Sequence, residues 1–410
     1  MTTFTDAATS FIALQPDADV RTRAWASFED LGLPTTTDEV WRYAPLSEFV
    51  LDRFAPSAPR PARADSAMVE GLAAHAGLVV RVVDGVVAST SAALDGVSVT
   101  VEATRRDESL AARYADDAFA QLNAALAPAT ITVRVARGAH VTRPVVIVHR
   151  TDARSSFPRT LVTLEEGADA TVVEYYEGGD DALVVPISEY QVGENAVLRL
   201  VTYQRLAPSA WHVARSTGVV ARDGRLLQAV VGLGGYYDRS RNDAVLEGAG
   251  SHNELRTTFL GAGRQVHDFR THQLHLAPHS SSLLLSKGAV ADESRSIYTG
   301  LIEIEHGARR TDARQTNHNL LLSPHAHADS VPNLDIREND VRCAHASSVG
   351  PLDELQRWYL ESRGVTPADA QRLMIRGFYN EMLVALPAQL AELVERDVTS
   401  ELESVTTVAS

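Results

Sequence analysis

The chain has 410 residues, enough for a large buried core, and carries 38 Lys and Arg against 53 Asp and Glu, a formal net charge of -15. This acidic balance excludes sequence-independent binding to nucleic acid, and the single cysteine, Cys343, excludes an intrachain disulfide framework and fits a reducing compartment. No apolar run reaches the ~20 residues of a membrane helix and the first residues have no leader pattern, so a cytoplasmic protein without a membrane partner is predicted.

The N-terminal region, residues 1–51, is predicted to be helical. Val20, Trp25 and Phe28 have the spacing of one apolar helix face, and Gly32 follows as a helix stop. This part therefore forms a small helical start to the chain.

The next two regions are predicted to be a linker and a small α/β segment. Residues 52–66 include three prolines among small and charged residues, which favours an extended connection. Residues 67–129 then combine β-branched runs around Asp84-Gly85, a hairpin signal, with helical spacing over residues 107–126.

The central region, residues 130–348, consists of short β-rich runs broken by Gly, Asn or Asp. Turn glycines recur every 24 to 31 residues, at Gly138, Gly167, Gly193, Gly224 and Gly248. Repeats of this size favour a β-solenoid, in which each coil buries its apolar face on the next. An antiparallel sandwich or barrel, which also has short strands and frequent turns, is the alternative that the pattern leaves open.

Helical spacing returns over residues 349–397, and the polar residues 398–410 are predicted to be a disordered tail. Thr366-Pro367 provides an N-cap and a first helical residue, and the helix that follows presents an apolar face. Its members are Leu373, Met374, Phe378 and Met382. The face can pack on the β region or fill a groove of a partner protein.

Cys343 and His345 are the first candidate for metal chemistry. Residues i and i+2 of a strand point to the same face, so the thiol and the imidazole could share one metal ion. The alternative is that Cys343 is a small buried hydrophobe.

The remaining histidines support a weaker alternative. His267, His272, His275 and His279 have no compact zinc spacing, and surface or turn histidines are the preferred interpretation. His325-Ala326-His327 resembles the start of a cupin metal site, but the third ligand is missing. No nucleophile elbow, P-loop or dinucleotide motif is present. A metal-dependent or carbohydrate-active β-solenoid enzyme is therefore the alternative function.

A long C-terminal stretch closely resembles the core of the SufB/SufD family. It runs over residues 287–355, KGAVADESRSIYTGLIEIEHGARRTDARQTNHNLLLSPHAHADSVPNLDIRENDVRCAHASSVGPLDEL. Residues 32–46, 119–149 and 267–288 also resemble this family, so the likeness extends over well over half of the chain.

The resemblance implies a mainly β fold, a right-handed parallel β-helix flanked by N-terminal and C-terminal helical parts. It also implies a non-enzymatic scaffold of iron-sulfur cluster assembly that pairs with a SufB-like paralogue and docks a SufC-type ATPase through its C-terminal helices. Cys343 and His345 match the Cys-x-His pair that is thought to hold a transient cluster at the paralogue interface. The face of Leu373, Met374, Phe378 and Met382 then becomes a partner site.

Two departures favour the SufD-like branch of the family. The segment QTNHNLLLS, residues 315–323, has no cysteine where SufB-like members have their main scaffold thiol, and Ala346 stands in a block where they carry a glutamate. A purely structural role with an inert Cys343 stays open. So do a homodimer in isolation, the sulfur donor and any involvement of flavin.

Overall fold

The computed structural model describes residues 3–55, 64–91, 93–102, 114–383, 386 and 388–408. Strands make up 44% of the chain and form a β-solenoid of about 8 turns with helices at both ends, so the fold predicted from the sequence is confirmed and the sandwich alternative is wrong. Within the described residues, none of the helices combines the length and apolar character needed to cross a bilayer.

The helices lie before and after the main run of strands. They are α1 (Phe4–Ala13), α2 (Ala18–Leu31), α3 (Ala67–His75), α4 (Ala118–Leu126), α5 (Glu354–Ser362), α6 (Pro367–Leu383) and α7 (Ala388–Val408). The α1 helix begins with a capping box, in which Thr3 and Asp6 each bond the other's backbone N–H. The α2 helix ends where the sequence predicts, at Gly32, whose φ of 67° is a left-handed conformation that favours glycine.

Twenty-one strands are described. They are β1 (Leu78–Val83), β2 (Val86–Thr90), β3 (Val97–Glu102), β4 (Thr130–Val135), β5 (Val145–Thr151), β6 (Ser155–Ser156), β7 (Arg159–Leu164), β8 (Asp169–Gly178), β9 (Leu183–Val184), β10 (Ile187–Val192), β11 (Val197–Leu206), β12 (Trp211–Val220), β13 (Arg225–Gly232), β14 (Tyr237–Leu246), β15 (His252–Gly261), β16 (Val266–His275), β17 (Ser281–Val290), β18 (Arg295–Ile304), β19 (Asp312–Leu321), β20 (His327–Ile336) and β21 (Arg342–Pro351).

From β10 onward successive strands alternate between two sheets that face each other, and the strands within each sheet are parallel. The first sheet has the order β2-β1-β5-β8-β11-β13-β15-β17-β19-β21, and the second runs β20-β18-β16-β14-β12-β10-β7-β4-β3. In the later coils each strand residue pairs in register with the residue 29 to 32 positions further along the chain. Examples are His252 with Ser281 and Arg295 with His327. This is the period that the glycine spacing indicated.

Glycine allows the stacked turns to approach closely. At Gly167 the backbone has a φ of 69°, which a residue with a Cβ adopts at a cost. At Gly248 a Cβ would lie 2.0 Å from the backbone nitrogen of Arg222, in the turn of the coil before it. The recurring glycines therefore mark turns, as the sequence predicts.

Helices cover the outer face of each sheet. The N-terminal helices pack Phe4, Trp25 and Phe28 into one core cluster with Trp211 and Tyr237 of the second sheet. The C-terminal helices α6 and α7, together with α3, cover the first sheet. The interior between the two sheets is apolar in the early coils and contains a separate aromatic cluster in the later ones.

The C-terminal tail differs from the prediction. Residues from 398 onward continue α7 to Val408 instead of being disordered. Leu390, Val394, Val398 and Leu402 repeat every four residues and are buried in the same cluster as the outer face of the first sheet. Because residues four apart lie on one helix face, this stripe docks the helix although the tail is polar overall.

The boundaries near the N-terminus also differ. Phe54, inside the predicted linker, is buried in the core, whereas residues 56–63 lie outside the described residues. The strands of the 67–129 segment extend the solenoid itself, because β1 pairs with β5 and β3 pairs with β4. The hairpin at Asp84-Gly85 is confirmed by the antiparallel pairing of β1 with β2, and part of the predicted 107–126 helix lies outside the described residues.

Candidate functional site

The last coil of the solenoid carries the Cys-x-His pair. β20 and β21 are the terminal strands of the two sheets, and within the described part of the chain each is paired along one edge only. Most of their side chains are exposed or half-buried, whereas the inward side chains of the preceding β19 are buried. The end of the β-helix is therefore open at this coil.

Register with β19 fixes where the two side chains point. Cys343 lies on Ala313 and His345 lies on Gln315, and both of these β19 residues are buried in the interior. Cys343 and His345 therefore share the inward face of β21, about 6.6 Å apart along the strand. The sequence prediction that they share one face agrees with this register.

Cys343 is half-buried at the edge of the last apolar cluster. It packs against the group that contains Ile302, Ile304 and Ala313. Burial raises the pKa of the Cys343 thiol, and the nearby Asp312 carboxylate raises it further. The thiol is therefore protonated at neutral pH, so that an incoming metal must displace its proton.

His345 is exposed, and hydroxyl groups line the same open end. Ser347 donates to Ser330 across the interior at 2.7 Å, and Asn317 donates to Ser330 at 2.8 Å. Among the described residues no group of three or more His, Cys, Asp or Glu side chains is arranged to hold a metal ion. Cys343 and His345 thus offer two ligands at a polar rim.

The histidine-rich stretch is dispersed through the structure. His267 is buried beside Asp238 (3.2 Å), and His275 is buried between the hydroxyls of Ser280 and Ser282 (2.8 and 2.9 Å). The preference for surface or turn positions is therefore wrong for these two, because both are buried inside the solenoid and bond other side chains there.

The other two histidines of that stretch, and the His-x-His pair, lie nearer the surface. His272 bonds Glu303 at 2.9 Å, and His279 is an exposed turn residue with a φ of 60°. His327 is also exposed and bonds Asp329 at 3.2 Å. These contacts do not gather the histidines into one centre, and the alternative enzyme gains no site from them.

The four residues of the predicted partner-binding face on α6 differ in how exposed they are. Leu373 is exposed and Met374 is half-buried, whereas Met382 is only 4% exposed. Phe378 packs against the core, with the Lys287 ammonium 5.1 Å from its ring centroid. Phe378 therefore attaches α6 to the first sheet, and Met382 is too buried to meet a partner.

The exposed apolar surface lies instead on α5. Leu355, Trp358 and Tyr359 are 78%, 67% and 55% exposed. Their spacing of three and four residues places them on one face of the helix, and α5 contains no buried residue. We call these three residues the α5 face. The sequence pattern identifies the helix but does not show that this face is left uncovered.

Comparisons with known proteins agree with this architecture. Residues 146–378 match the family described as "SUF system FeS cluster assembly, SufBD core domain". The chain is 29% identical to the iron-sulfur cluster assembly protein SufD of Escherichia coli over 365 residues, which cover 87% of this chain and 86% of that protein.

Two further relatives match a shorter region. The SufD protein of Bacillus subtilis is 33% identical over 275 residues, 64% of this chain and 63% of its own length, so less than two thirds of that relative is spanned. An iron-sulfur cluster assembly SufBD family protein of Mycobacterium tuberculosis is 31% identical over 281 residues, 66% of this chain and 70% of its own length.

Proposed function

This chain belongs to the SufBD family of the SUF iron-sulfur cluster assembly system, and we propose that it is a SufD-like scaffold subunit, without enzymatic activity of its own. It pairs with a SufB-like paralogue and with a SufC-type ATPase in the cytoplasm, where the complex builds iron-sulfur clusters and delivers them. The single observation that carries this proposal is the position of Cys343 and His345 on the open last coil.

The paralogue pairs with the free edge of the last coil. An unpaired strand edge presents a row of backbone donors and acceptors to another chain. β20 contains Pro332, which has no N–H to donate, whereas β21 has no proline before its last residue, Pro351. β21, the strand that carries Cys343 and His345, is therefore the better edge for a continuous ladder.

The cluster is the cargo of this interface. Iron-sulfur clusters take four protein ligands, mostly thiolates, and this chain offers one thiolate and one imidazole nitrogen. The SufB-like partner supplies the remaining ligands. Because burial raises the pKa of Cys343, thiolate ligation follows metal arrival and releases a proton.

The ATPase docks on the helical C-terminal end. The α5 face is apolar, exposed and on a helix that packs little on its own chain, which suits a helix-in-groove contact. Leu373 and Met374 of α6 extend this site. ATP-driven closure of two ATPase subunits would twist the paired solenoids and open the rim that carries the cluster ligands.

The test is reconstitution with the SufB-like and SufC-type proteins of the same source. We expect a stable three-component complex that assembles a cluster from iron and sulfide and transfers it to an apo-ferredoxin. A complex with His345→Ala should form equally well but deliver less cluster, whereas His327→Ala, a neighbouring exposed histidine, should behave as the unchanged chain.

Three outcomes would contradict this proposal. If no complex formed, the scaffold role would fail. If the complex formed and His345→Ala delivered cluster at the full rate, the chain would be a structural partner with an inert Cys343. Turnover of a sugar polymer by the isolated chain would favour the enzyme alternative.

A further inference from the structure

A basic cavity of about 490 Å³ lies on the outer face of the second sheet, away from both Cys343 and the α5 face. One wall is the N-terminal segment of residues 39–43, and the floor is formed by strands β14, β16, β18 and β20. Its ionisable lining residues are Arg42, Arg239, Arg241, Arg270, His272, Glu39 and Asp243. Four guanidinium groups thus face two carboxylates in a chain whose net charge is -15.

Arg270 is the most unusual of these groups. It is 6% exposed, and its Nε donates to Asp268 Oδ1 at 3.1 Å. Its Nη2 atom is buried and has no hydrogen-bond partner among the residues that the structure describes. A buried cation with an unpaired donor is costly, and such groups normally hold a counter-ion or a ligand.

The nearest carboxylate does not balance Arg270, because it is shared. Asp268 Oδ2 accepts from the Arg239 guanidinium at 2.6 Å and from the Tyr237 hydroxyl at 2.8 Å. One buried carboxylate therefore faces two buried guanidinium groups. Burial lowers the pKa of Arg270, the Asp268 charge opposes this shift, and the Arg239 charge adds to it.

The neighbouring guanidinium group, Arg241, also shares its carboxylate with a second arginine. Arg241 Nε lies 3.0 Å from Asp243, and the same carboxylate accepts from Arg215 at 3.1 Å. Arg215 has a second partner in Asp117, at 2.9 Å. Arg241 and Arg270 are direct neighbours in register on β14 and β16, so the buried Arg270, with its unpaired donor, lies beside a second, partly exposed guanidinium group.

Apolar and uncharged polar side chains form the rest of the cavity wall. Tyr43, Leu301 and Val331 line it, together with the polar Thr299 and Asn333. The volume lies within the range of small-molecule sites, and a few convergent polar groups on an otherwise apolar wall are typical of them. A planar guanidinium pair matches the geometry of phosphate and carboxylate oxygens.

We propose that this cavity binds a small molecule with an oxyanion group, a phosphate or a carboxylate, held by Arg270 and Arg241. The remainder of the molecule packs on Tyr43, Leu301 and Val331. This site is separate from the Cys343 and His345 pair, because it lies on the outer face of the second sheet whereas the pair lies on the inward face of β21 in the first sheet.

The test is direct binding to the purified full-length chain by calorimetry and by thermal unfolding. The probes are inorganic phosphate and succinate, each compared with chloride at the same ionic strength. We expect saturable binding of at least one probe and a rise in the unfolding temperature with its concentration. Binding of phosphate alone, or of succinate alone, supports the proposal and identifies the ligand class.

Variants locate the binding. Arg270→Gln and Arg241→Gln should each weaken it about tenfold or more, because each removes a charge-assisted hydrogen bond. Arg199→Gln, an exposed arginine of the first sheet that pairs with Asp169, is the matched control and should leave the affinity unchanged. Arg241 is partly exposed, so its variant keeps the test valid if Arg270→Gln does not fold.

Two results would overturn the proposal. The first is that neither probe binds in excess of chloride. The second is that binding is equally strong in the unchanged chain, in folded Arg241→Gln and in Arg199→Gln, which would indicate a non-specific ionic effect. Neither result depends on whether the chain assembles iron-sulfur clusters.

Discussion

Replacing Trp358 by alanine should weaken docking of the SufC-type ATPase without destabilising this chain. Trp358 is 67% exposed on α5, a helix with no buried residue. A tryptophan buries up to about 250 Å² in a protein contact, so about 170 Å² is available to a partner. At ~25 cal/mol per Å² this is worth about 4 kcal/mol as an upper limit.

The expected loss is about 2–4 kcal/mol, the range of aromatic hot spots, or roughly 30- to 700-fold in Kd. Calorimetric titration of the ATPase into the full-length chain measures it. The free energy of unfolding should change by less than about 0.5 kcal/mol, because the side chain has few contacts within its own chain.

Leu14→Ala provides the control for this experiment. Leu14 is 84% exposed at the end of α1, in the N-terminal helical part of the chain, and its removal should leave the ATPase affinity unchanged. Equal affinities for Trp358→Ala and Leu14→Ala would refute the α5 face as the docking site. A large loss of stability in Trp358→Ala would show that the ring packs on its own chain.

Three further predictions concern the core and the rim. Cys343, the single thiol, should be alkylated several-fold more slowly at pH 8 than in the urea-unfolded chain, because its raised pKa lowers the thiolate fraction; equal rates would contradict this. Burial raises the pKa of Asp238, but hydrogen bonds and charge from two histidines outweigh it, and the pKa is lowered. The stability it provides is therefore present above about pH 4 and lost as the pH falls, so Asp238→Asn should flatten the acid limb of a stability-pH curve by up to about 1.4 kcal/mol per pH unit. Gly288→Ala should cost about 1–3 kcal/mol in urea unfolding, because its Cβ would meet the buried Phe259 ring at 1.9 Å, whereas Gly377→Ala, in an open helical position, should stabilise by up to about 1 kcal/mol; equal effects would refute the packing argument.

The solenoid could be predicted because stacked turns impose a constraint that is visible in the sequence. A left-handed turn residue recurs about once per coil, and Gly167, Asn195 and Asp223 are examples, while close approach at Gly248 leaves no room for a Cβ. Glycine, Asn and Asp adopt this conformation most readily, so their spacing reveals the coils. Cys343 and His345 could likewise be assigned to one strand face, because backbone geometry makes successive side chains of a strand point to opposite faces.

The accessibility of these two residues could not be predicted from the strand pattern alone. A residue on an inward strand face is normally buried by the next coil, as Ala313 is in β19. Cys343 and His345 are accessible because β21 is the last strand of its sheet. This depends on where the stack ends, which periodicity alone does not reveal.

The C-terminal helices show a second limit. Apolar spacing identifies Phe378 and Met382 as one face of α6, but only the fold shows that Phe378 packs against the first sheet and that Met382 is buried. Conversely, Val398 and Leu402 form a buried stripe on α7, although the sequence around them is mostly polar and suggests disorder. Counting apolar residues at intervals of four, rather than composition, would have found it.

The basic cavity depends on long-range contacts. Arg239 and Arg241 alternate on β14, and Arg270 lies on β16, so each strand shows the outward charge that is typical of a solvated face. Only the fold brings them together beneath the segment of residues 39–43, more than 190 positions earlier in the chain.

The central claim is that an iron atom of the assembled cluster is bound by His345 at the rim of the last coil. The most direct measurement is electron-nuclear hyperfine spectroscopy of the reduced complex, in which only this chain carries 15N-labelled histidine and the SufB-like partner is unlabelled. We predict a 15N coupling to the cluster that is lost in His345→Ala and kept in His327→Ala. A complex that holds a cluster without any 15N coupling, or whose coupling survives in His345→Ala, would contradict the account.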